Sequence, residues 1–405
     1  MGATDSTTTG QGPAPVSKTM RFLGDGVSAG LDFTGGDPAK LEKLGLPVLV
    51  SAEDLARAIG LPAAAGEGTP TFSEGSDQLA WLCYHRRSAL VDHYSRFRIP
   101  KRSGGSRRLA SPKPLMRRAQ RWVLESIVEH LNPHTGVATA WRPGLSIRDN
   151  AARHVGKAIV LRIDIKDFFP SIRWKRVRGV LQRCGYNEGI ATLLALLCTD
   201  ADRAVVDLDG KRHYVARGER ALPQGACTSP GLANYVARRL DLRVHGLARS
   251  LGFTYSRYAD DLIFSHEQER GRANLLIEKV YMILRDEGFE PNEEKTSVMR
   301  SHRRQMVTGI LVNEEPRLSR RDCRRFRAIA HQCRTNGLEA VSEQLGRDAA
   351  AYLAGFLAYA HMVNPDQAAH LGRHVDGLDV RLPRASRVPG KDTQAGGDGK
   401  APDPA

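Results

Sequence analysis

FTYSRYADDLIF, residues Phe253 to Phe264, is two β-type runs around a tight turn, with two adjacent carboxylates, Asp260 and Asp261, at the turn. Strand alternation sends neighbouring side chains to opposite sides, and acids crowded at a hairpin repel one another unless a cation stands between them. Alone, such a pair is a common feature of solvated turns. Its weight comes from a third acid, Asp164, at the end of another apolar, strand-like run about a hundred residues earlier, AIVLRIDI (Ala158 to Ile165). Three carboxylates from two adjacent strands can hold two Mg²⁺ about 3.5 to 4 Å apart, one activating an attacking hydroxyl and the other neutralising a leaving pyrophosphate. That is the requirement of nucleotidyl transfer.

Outward from this centre the chain is basic. Its formal charge is +15 over 405 residues, an excess that draws polyanions through counterion release. The charge is concentrated. Arg86 to Arg121 holds twelve Lys or Arg against one acid, Asp92, and Arg300 to Arg334 holds ten Arg against Glu314, Glu315 and Asp322. Two separated basic stretches fit the walls of a nucleic-acid groove. The six cysteines form no CxxC pair, which argues against a disulfide framework or a zinc site. No apolar window is long enough to span a membrane and the first residues do not read as a signal peptide, so a cytoplasmic protein without a membrane partner is expected.

Along the chain, Leu44 to Ile59 suggests a strand and a helix, Asp77 to Tyr94 has helical spacing, and Pro114 begins a helix reaching about Leu131. Trp174–Gly185, Glu188–Cys198 and Leu275–Glu287 read as helices. Gly231 to Leu251 reads as one long helix, Met306 to Val312 as a strand, and Ser319 to the mid-370s as mostly helical. Irregular alternation with acids at strand ends predicts an antiparallel sheet covered by helices on one face.

Several ordered motifs resemble the bacterial reverse transcriptases of the retron type. LRIDIKDFFPSI (Leu161 to Ile172), LPQGACTSPGLAN (Leu222 to Asn234), YADD and NEEKT (Asn292 to Thr296) are similar to four palm motifs, and IPKRSGGSRRL (Ile99 to Leu109) to the fingers motif. NAARH (Asn150 to His154), VTG (Val307 to Gly309) and LAYAHMVNPDQAAHL (Leu357 to Leu371) are similar to retron elements in particular.

The resemblance implies an α+β right-hand polymerase. Fingers would occupy 77–157, a palm with an antiparallel sheet backed by helices 158–312, and a helical, RNA-binding thumb 313–378, between a partly disordered extension at 1–76 and a disordered tail at 379–405. It implies metal ligation by Asp164, Asp260, Asp261 and the Ile165 carbonyl, with Mn²⁺ able to replace Mg²⁺. Lys295 would protonate the leaving group. Phe169 would fill the space of a ribose 2′-hydroxyl, Gln224 and Gly225 would lie against the nucleotide, and Lys101 and Arg107 would contact its triphosphate, with Arg102 and Arg108 competing. Asp167 would be a structural acid or helix cap. Asn150 and His154 would brace the palm or touch RNA, Val307, Thr308 and Gly309 would hold the primer end, and Arg320, Arg321 and Arg324 would grip RNA.

The implied activity is RNA-directed synthesis of single-stranded DNA (msDNA) from a structured noncoding RNA, using dNTPs, primed from a 2′-hydroxyl. A separate effector protein in an anti-phage unit and a host RNase H would be partners. Other bacterial reverse transcriptases, of group II intron or abortive-infection type, and a non-catalytic RNA-binding scaffold are the alternatives. An intron enzyme should continue into a maturase domain, which nothing after Leu371 resembles, and a cyclic-dinucleotide synthase should carry a glycine-rich turn in place of YADD.

Overall fold

The computed structural model describes residues 31–61, 75–83, 88–100, 104–131, 136–268 and 272–380. They fall into two compact units that divide between Thr308 and Gly309.

The first unit is organised by β4 (Ile159–Lys166), whose alternation is plain in IVLRIDIK. Ile159, Leu161, Ile163 and Ile165 enter the core, and Arg162 and Asp164 point to the other face. β4 is the inner strand of an antiparallel sheet in the order β7 (Thr254–Tyr258), β8 (Asp261–His266), β4, β9 (Glu290–Arg300). Helices α10 (Arg238–Ser250) and α11 (Ala273–Asp286) bury Leu240, Val244, Ala248, Leu276, Val280 and Leu284 against the core face. The expected antiparallel sheet with its helical cover is thus present. The expected long helix over 231–251 is instead two, α9 (Ser229–Val236) and α10, jointed at Ala237.

A buried ion pair ties these layers together. Arg257 of β7 and Asp241 of α10 are both fully buried. The guanidinium donates through Nε and Nη2 to the two oxygens of Asp241 at 2.8 and 2.7 Å, and through Nη1 to Asn234 Oδ1 and Ala259 O, each at 3.0 Å. Tyr255 adds a bond to Asp241 at 2.9 Å. The backbone of Arg257 also pairs with Val137 and Thr139, closing the β7 edge of the sheet.

Three other expectations change. The helical spacing from Asp77 stops at Cys83, the end of α3 (Gly75–Cys83). Beyond it Leu90 and Val91 are exposed, while the buried carboxylate of Asp92 bonds the Tyr94 amide and Arg96, drawing the chain into the strand β2 (Tyr94–Pro100). A sheet absent from the sequence reading pairs β5 (Asp200–Leu208) and β6 (Lys211–Ala221), both between LRIDIKDFFPSI and LPQGACTSPGLAN, with the earlier β1 (Ser88–Ala89), in the order β1-β6-β5. Its turn is Asp209-Gly210, both at positive φ, the Asp-Gly signature of a two-residue hairpin. Third, residues 31–61 are integral. Helices α1 (Pro38–Lys43) and α2 (Ala52–Ile59) bury Leu41, Leu55 and Ile59 in the same core, and Phe33 lies over Gly189, where a Cβ would come within 2.6 Å of its ring. Gly189 opens α8 (Glu188–Cys198), an almost wholly buried helix capped by Asn187.

The second unit begins with the short strand Ile310–Leu311 and continues as helices Arg320–Asn336, Leu338–Leu345, Ala349–Val363 and Pro365–Gly372. Ser319, Asp348 and Asn364 cap three of them, and Phe326 stacks on Phe356 in the interior at 5.0 Å. Among the described residues no helix is long and apolar enough to cross a membrane.

Replacing Arg257 with Met leaves Asp241 charged in the core without its partner, an error that costs about 3 to 5 kcal/mol. Urea denaturation of R257M should show that loss, and R257M/D241L should recover most of it. A variant within about 1 kcal/mol of the parent would show that the pair does not anchor the sheet.

Candidate active site

The register places Asp164 directly across from Asp261 on neighbouring antiparallel strands. Asp260 is the second of two turn residues between β7 and β8, and its carbonyl accepts from the Ile165 amide at 2.9 Å. The first turn residue, Ala259, takes φ +59, a conformation disfavoured for any residue with a Cβ. Its carbonyl is captured from below by Arg257. The hairpin tip is therefore pinned from the side and from beneath.

Electrostatics follow from this crowding. Burial, reinforced by the neighbouring carboxylates, raises the Asp261 carboxyl to about 6, against the pull of Arg162 3.7 Å away. Burial also raises Asp260, with Asp164 adding to the shift while Lys295 and Arg107 oppose it. Asp164 is engaged by cations and donors: Asn292 Nδ2 at 2.8 Å and Lys295 Nζ at 3.0 and 3.3 Å from its two oxygens. An irregularity in β9 makes this possible. Arg162 faces Ser297 whereas Asp164, two residues on, faces Asn292, so the extra length of β9 bulges beside the site and brings Lys295 back to Asp164.

Among the described residues no three acidic, histidine or cysteine side chains converge as a ready metal cluster. The donor chemistry nevertheless fits a hard divalent cation, because three carboxylates sit at adjoining strand ends and two are pushed toward protonation by burial and by one another's charge.

The other expected residues sort by burial. Phe169 is half-buried in the short helix α6 (Phe168–Ser171), its ring centroid 5.7 Å from Phe168 and 5.5 Å from Trp141. Asp167 precedes α6 at φ +47 and makes no side-chain cap bond. Gln224 accepts from the Ala110 amide at 2.8 Å through its carbonyl, docking β3 (Ser106–Pro112) on the PQG turn. At Gly225, φ +124, an added Cβ would lie 2.7 Å from Ala110 O, so glycine is required for this close approach. Arg107 is exposed on the hairpin of β2 and β3, and its charge reaches Asp260. Arg108 is committed to an ion pair with Asp202 of β5. Lys101 and Arg102 lie outside the described residues.

Asn150 and His154 correct the expectation of RNA contact, since both are completely buried. Asn150, in α5 (Ile147–Ala152), accepts from Thr139 Oγ1 at 3.0 Å. His154 spans the β7–β8 hairpin, Nε2 lying 2.7 Å from Ser256 Oγ on β7 and Nδ1 2.7 Å from Ser265 Oγ on β8. Both are braces. Val307 is also buried, while Thr308, at φ +48, donates to Ile147 O at 3.1 Å. Gly309 opens the second unit at φ +86, and Arg320, Arg321 and Arg324 are exposed on its first helix. Arg257 and the β5–β6 hairpin were missed. Alternation in TYSRY hinted that Arg257 shares a face with Tyr255, and Asp209-Gly210 marked the hairpin.

The sheet, its acid-bearing hairpin and the helical cover define a right-hand polymerase palm. Residues 99–332 match the family model described as reverse transcriptase (RNA-dependent DNA polymerase), and the chain belongs to that family. Within it the chain is of the retron type. It is 41% identical over 336 residues to the retron Mx162 reverse transcriptase of Myxococcus xanthus, covering 79% of this chain and 65% of that one. To the Mx65 enzyme of the same organism it is 43% identical over 341 residues, covering 83% and 74%. The Escherichia coli Ec86 enzyme is 29% identical over 279 residues, covering 68% and 75%. The chain thus spans slightly less than two thirds of the Mx162 protein. A solved telomerase from Candida albicans, in complex with a TWJ fragment of telomeric RNA, overlays with a TM-score of 0.42 at 11% identity over 70% of this chain and 59% of that one, too distant to bear on the assignment.

Burial, aided by the charges of Arg153 and Lys157, lowers the His154 pKa from 6.5 to about 3. The unfolded chain therefore takes a proton that the fold refuses, so stability from neutral His154 is complete above pH 6.5 and is lost as pH falls toward 3. Between pH 6 and 4, urea-unfolding free energy should drop by up to about 1.4 kcal/mol per unit from this group, with a flatter slope in His154→Gln. Equal slopes in parent and variant would remove His154 as the cause. Gly225→Ala should reduce primer extension by about tenfold or more, as the Ala110 contact is forced apart, and near-parental extension would show that the approach is dispensable.

Proposed function

We propose that this chain is an RNA-directed DNA polymerase that copies part of a structured noncoding RNA into single-stranded DNA. The observation that carries the reading is the direct pairing of Asp164 with Asp261, Asp260 beside them and Lys295 against Asp164. Asp164, Asp260 and Asp261, with the Ile165 carbonyl, would hold divalent ions, Mg²⁺ or in its place Mn²⁺. Such ions supply an activated 3′-hydroxyl and charge neutralisation at the leaving pyrophosphate.

The chain's own residues do the rest. Arg107, projecting from the fingers hairpin, supplies a fork for triphosphate oxygens, and Lys101 is the expected second contact. Gly225 lets β3 dock closely on the turn that would lie against the nucleotide, and Phe169 would exclude a ribose 2′-hydroxyl, selecting dNTPs. Lys295, half-exposed on a flexible stem, donates a proton to pyrophosphate as it departs.

The first unit accordingly contains fingers and palm, and the second is the thumb, its exposed Arg320, Arg321 and Arg324 meeting phosphates of the template RNA. Thr308 and Gly309 form the turn that holds the primer end. Retron membership supports initiation from a 2′-hydroxyl of the RNA, an msDNA product, template removal by a host RNase H, and work beside a separate effector protein in anti-phage defence.

Asp260→Asn with Asp261→Asn should lower dNTP incorporation by at least about a thousandfold on a primed RNA template while RNA affinity changes less than about threefold. EDTA should silence the parent and added Mg²⁺ or Mn²⁺ restore it. Undiminished synthesis by the double variant would end the metal-ligand assignment. Sequencing nucleic acid that copurifies with the protein should recover a branched RNA–DNA species, whereas bulk unrelated RNA would count against the retron reading.

A further inference from the structure

Trp141 stands out in the first unit. The residue is 45% exposed, and its backbone sits at φ +54, where a bulky side chain is a true outlier. A glycine would adopt that conformation freely.

The chain leading to it cannot relax. Val137, Ala138, Thr139 and Ala140 are all buried, and Val137 and Thr139 are hydrogen-bonded to the backbone of Arg257. Asn234 Nδ2 holds the Ala140 carbonyl at 2.8 Å, and Thr139 Oγ1 reaches both Asn150 and Arg257 O. Trp141 is therefore delivered to a fixed place by the same network that holds the catalytic hairpin.

What its indole meets there is Phe169, centroid to centroid 5.5 Å at a tilt of 52°. Phe169 also meets Phe168 at 5.7 Å. Phe168 is buried, lies 5.7 Å from Phe289 and has the Arg257 guanidinium 5.8 Å from its centroid, so it is an immobile wall. Phe169 thus has two ring neighbours, the fixed and buried Phe168 and the exposed Trp141. A ring that excludes one hydroxyl group must keep its position closely, and a half-buried phenylalanine with one wall removed gains rotamer freedom.

We propose that Trp141 is a positioning residue for sugar selection: it clamps Phe169 so that the phenyl ring excludes a ribose 2′-hydroxyl. This rests on the reading of Phe169 as the gate.

The test uses the full chain and single-nucleotide insertion on a primed RNA template, measuring kcat and KM for a dNTP and the matching rNTP. Trp141→Ala, Trp141→Phe, Phe169→Ala and the W141A/F169A double variant are compared, with template affinity and Tm recorded. W141A should raise the rNTP-to-dNTP ratio of kcat/KM by about three- to tenfold, the size of one aromatic pair, mainly through a lower KM for the rNTP. W141F should restore most of the parental ratio. The double variant should match F169A, because the clamp has nothing left to hold.

An unchanged ratio in W141A beside a shifted one in F169A overturns the proposal, as does full additivity in the double variant. So does weakened template binding at constant ratio, which would make the indole a stacking platform for a base. If F169A and W141A both leave the ratio unchanged while dNTPs are still incorporated, the gate reading fails and this inference with it, but polymerase function stands. A ratio shifted by W141A alone also overturns it, since Trp141 would then act without Phe169. Should W141A lose its folded transition, Trp141→Leu, which keeps bulk without a ring face, carries the comparison against W141F, and equal ratios in those two would overturn the clamp.

Discussion

Like charges held across from one another are the constraint to which the rest of the first unit answers. Asp164 and Asp261 are direct cross-strand partners, and Asp260 is the next residue back along the turn. Such opposition destabilises a sheet, and burial deepens the cost, as the raised carboxyls of Asp260 and Asp261 record. The hairpin holds this arrangement because it is over-determined. Ile165 bonds its turn, Arg257 grips Ala259 from beneath, His154 bridges its two strands, and the irregular β9 brings Lys295 to Asp164. Strain of this kind persists only where the surroundings leave the backbone no alternative. The negative charge gathered there, offset only in part by Lys295 and Arg162, is what a divalent ion would meet.

The palm was legible because its signals are local. IVLRIDIK alternates, FTYSRYADDLIF announces two strands and a turn, and the amphipathic spacing of Leu276, Val280 and Leu284 marks a covering helix. What was not legible depends on partners far away in sequence. Nothing near Arg257 says that its charge will be neutralised by Asp241 in a helix before it, and an arginine on a strand ordinarily faces water. The run from Asp77 to Tyr94 has helical periodicity throughout, yet Asp92 bonds Arg96, which also bonds Asp200, and this cross-chain pairing outweighs local propensity. In the N-terminal segment the helix carrying Leu55 and Ile59 was legible within Leu44 to Ile59, but the strand expected before it does not form, and nothing local showed that Leu41, Leu55 and Ile59 would pack in the common core. Asp209-Gly210 is different. That signal was local and present, and was passed over.

Resemblance to a family names positions without saying how they act, and burial separates the cases. Asn150 and His154 belong to an element typical of retron enzymes, but neither has surface to offer a nucleic acid. Their polar atoms face Thr139, Ser256 and Ser265, so the element holds the β7–β8 hairpin against the segment that precedes α5. A buried histidine between two hydroxyls is well suited to that task, accepting from one and donating to the other in its neutral form.

The β2–β3 hairpin shows the same division within two adjacent residues. Arg107 and Arg108 are chemically alike and lie on opposite faces of β3. Arg108 pairs with Asp202, which fastens the hairpin to β5, while Arg107 is left pointing where its charge acts on Asp260. The β5–β6 hairpin therefore gives the arm a second attachment, the first being the Ala110–Gln224 bond at its base. An arm fixed at two points can carry a cation toward a set of carboxylates and hold it there. A substitution at Asp202 would loosen that arm without touching the carboxylates, so the placing of the Arg107 charge near Asp260 depends on an acid that no motif contains.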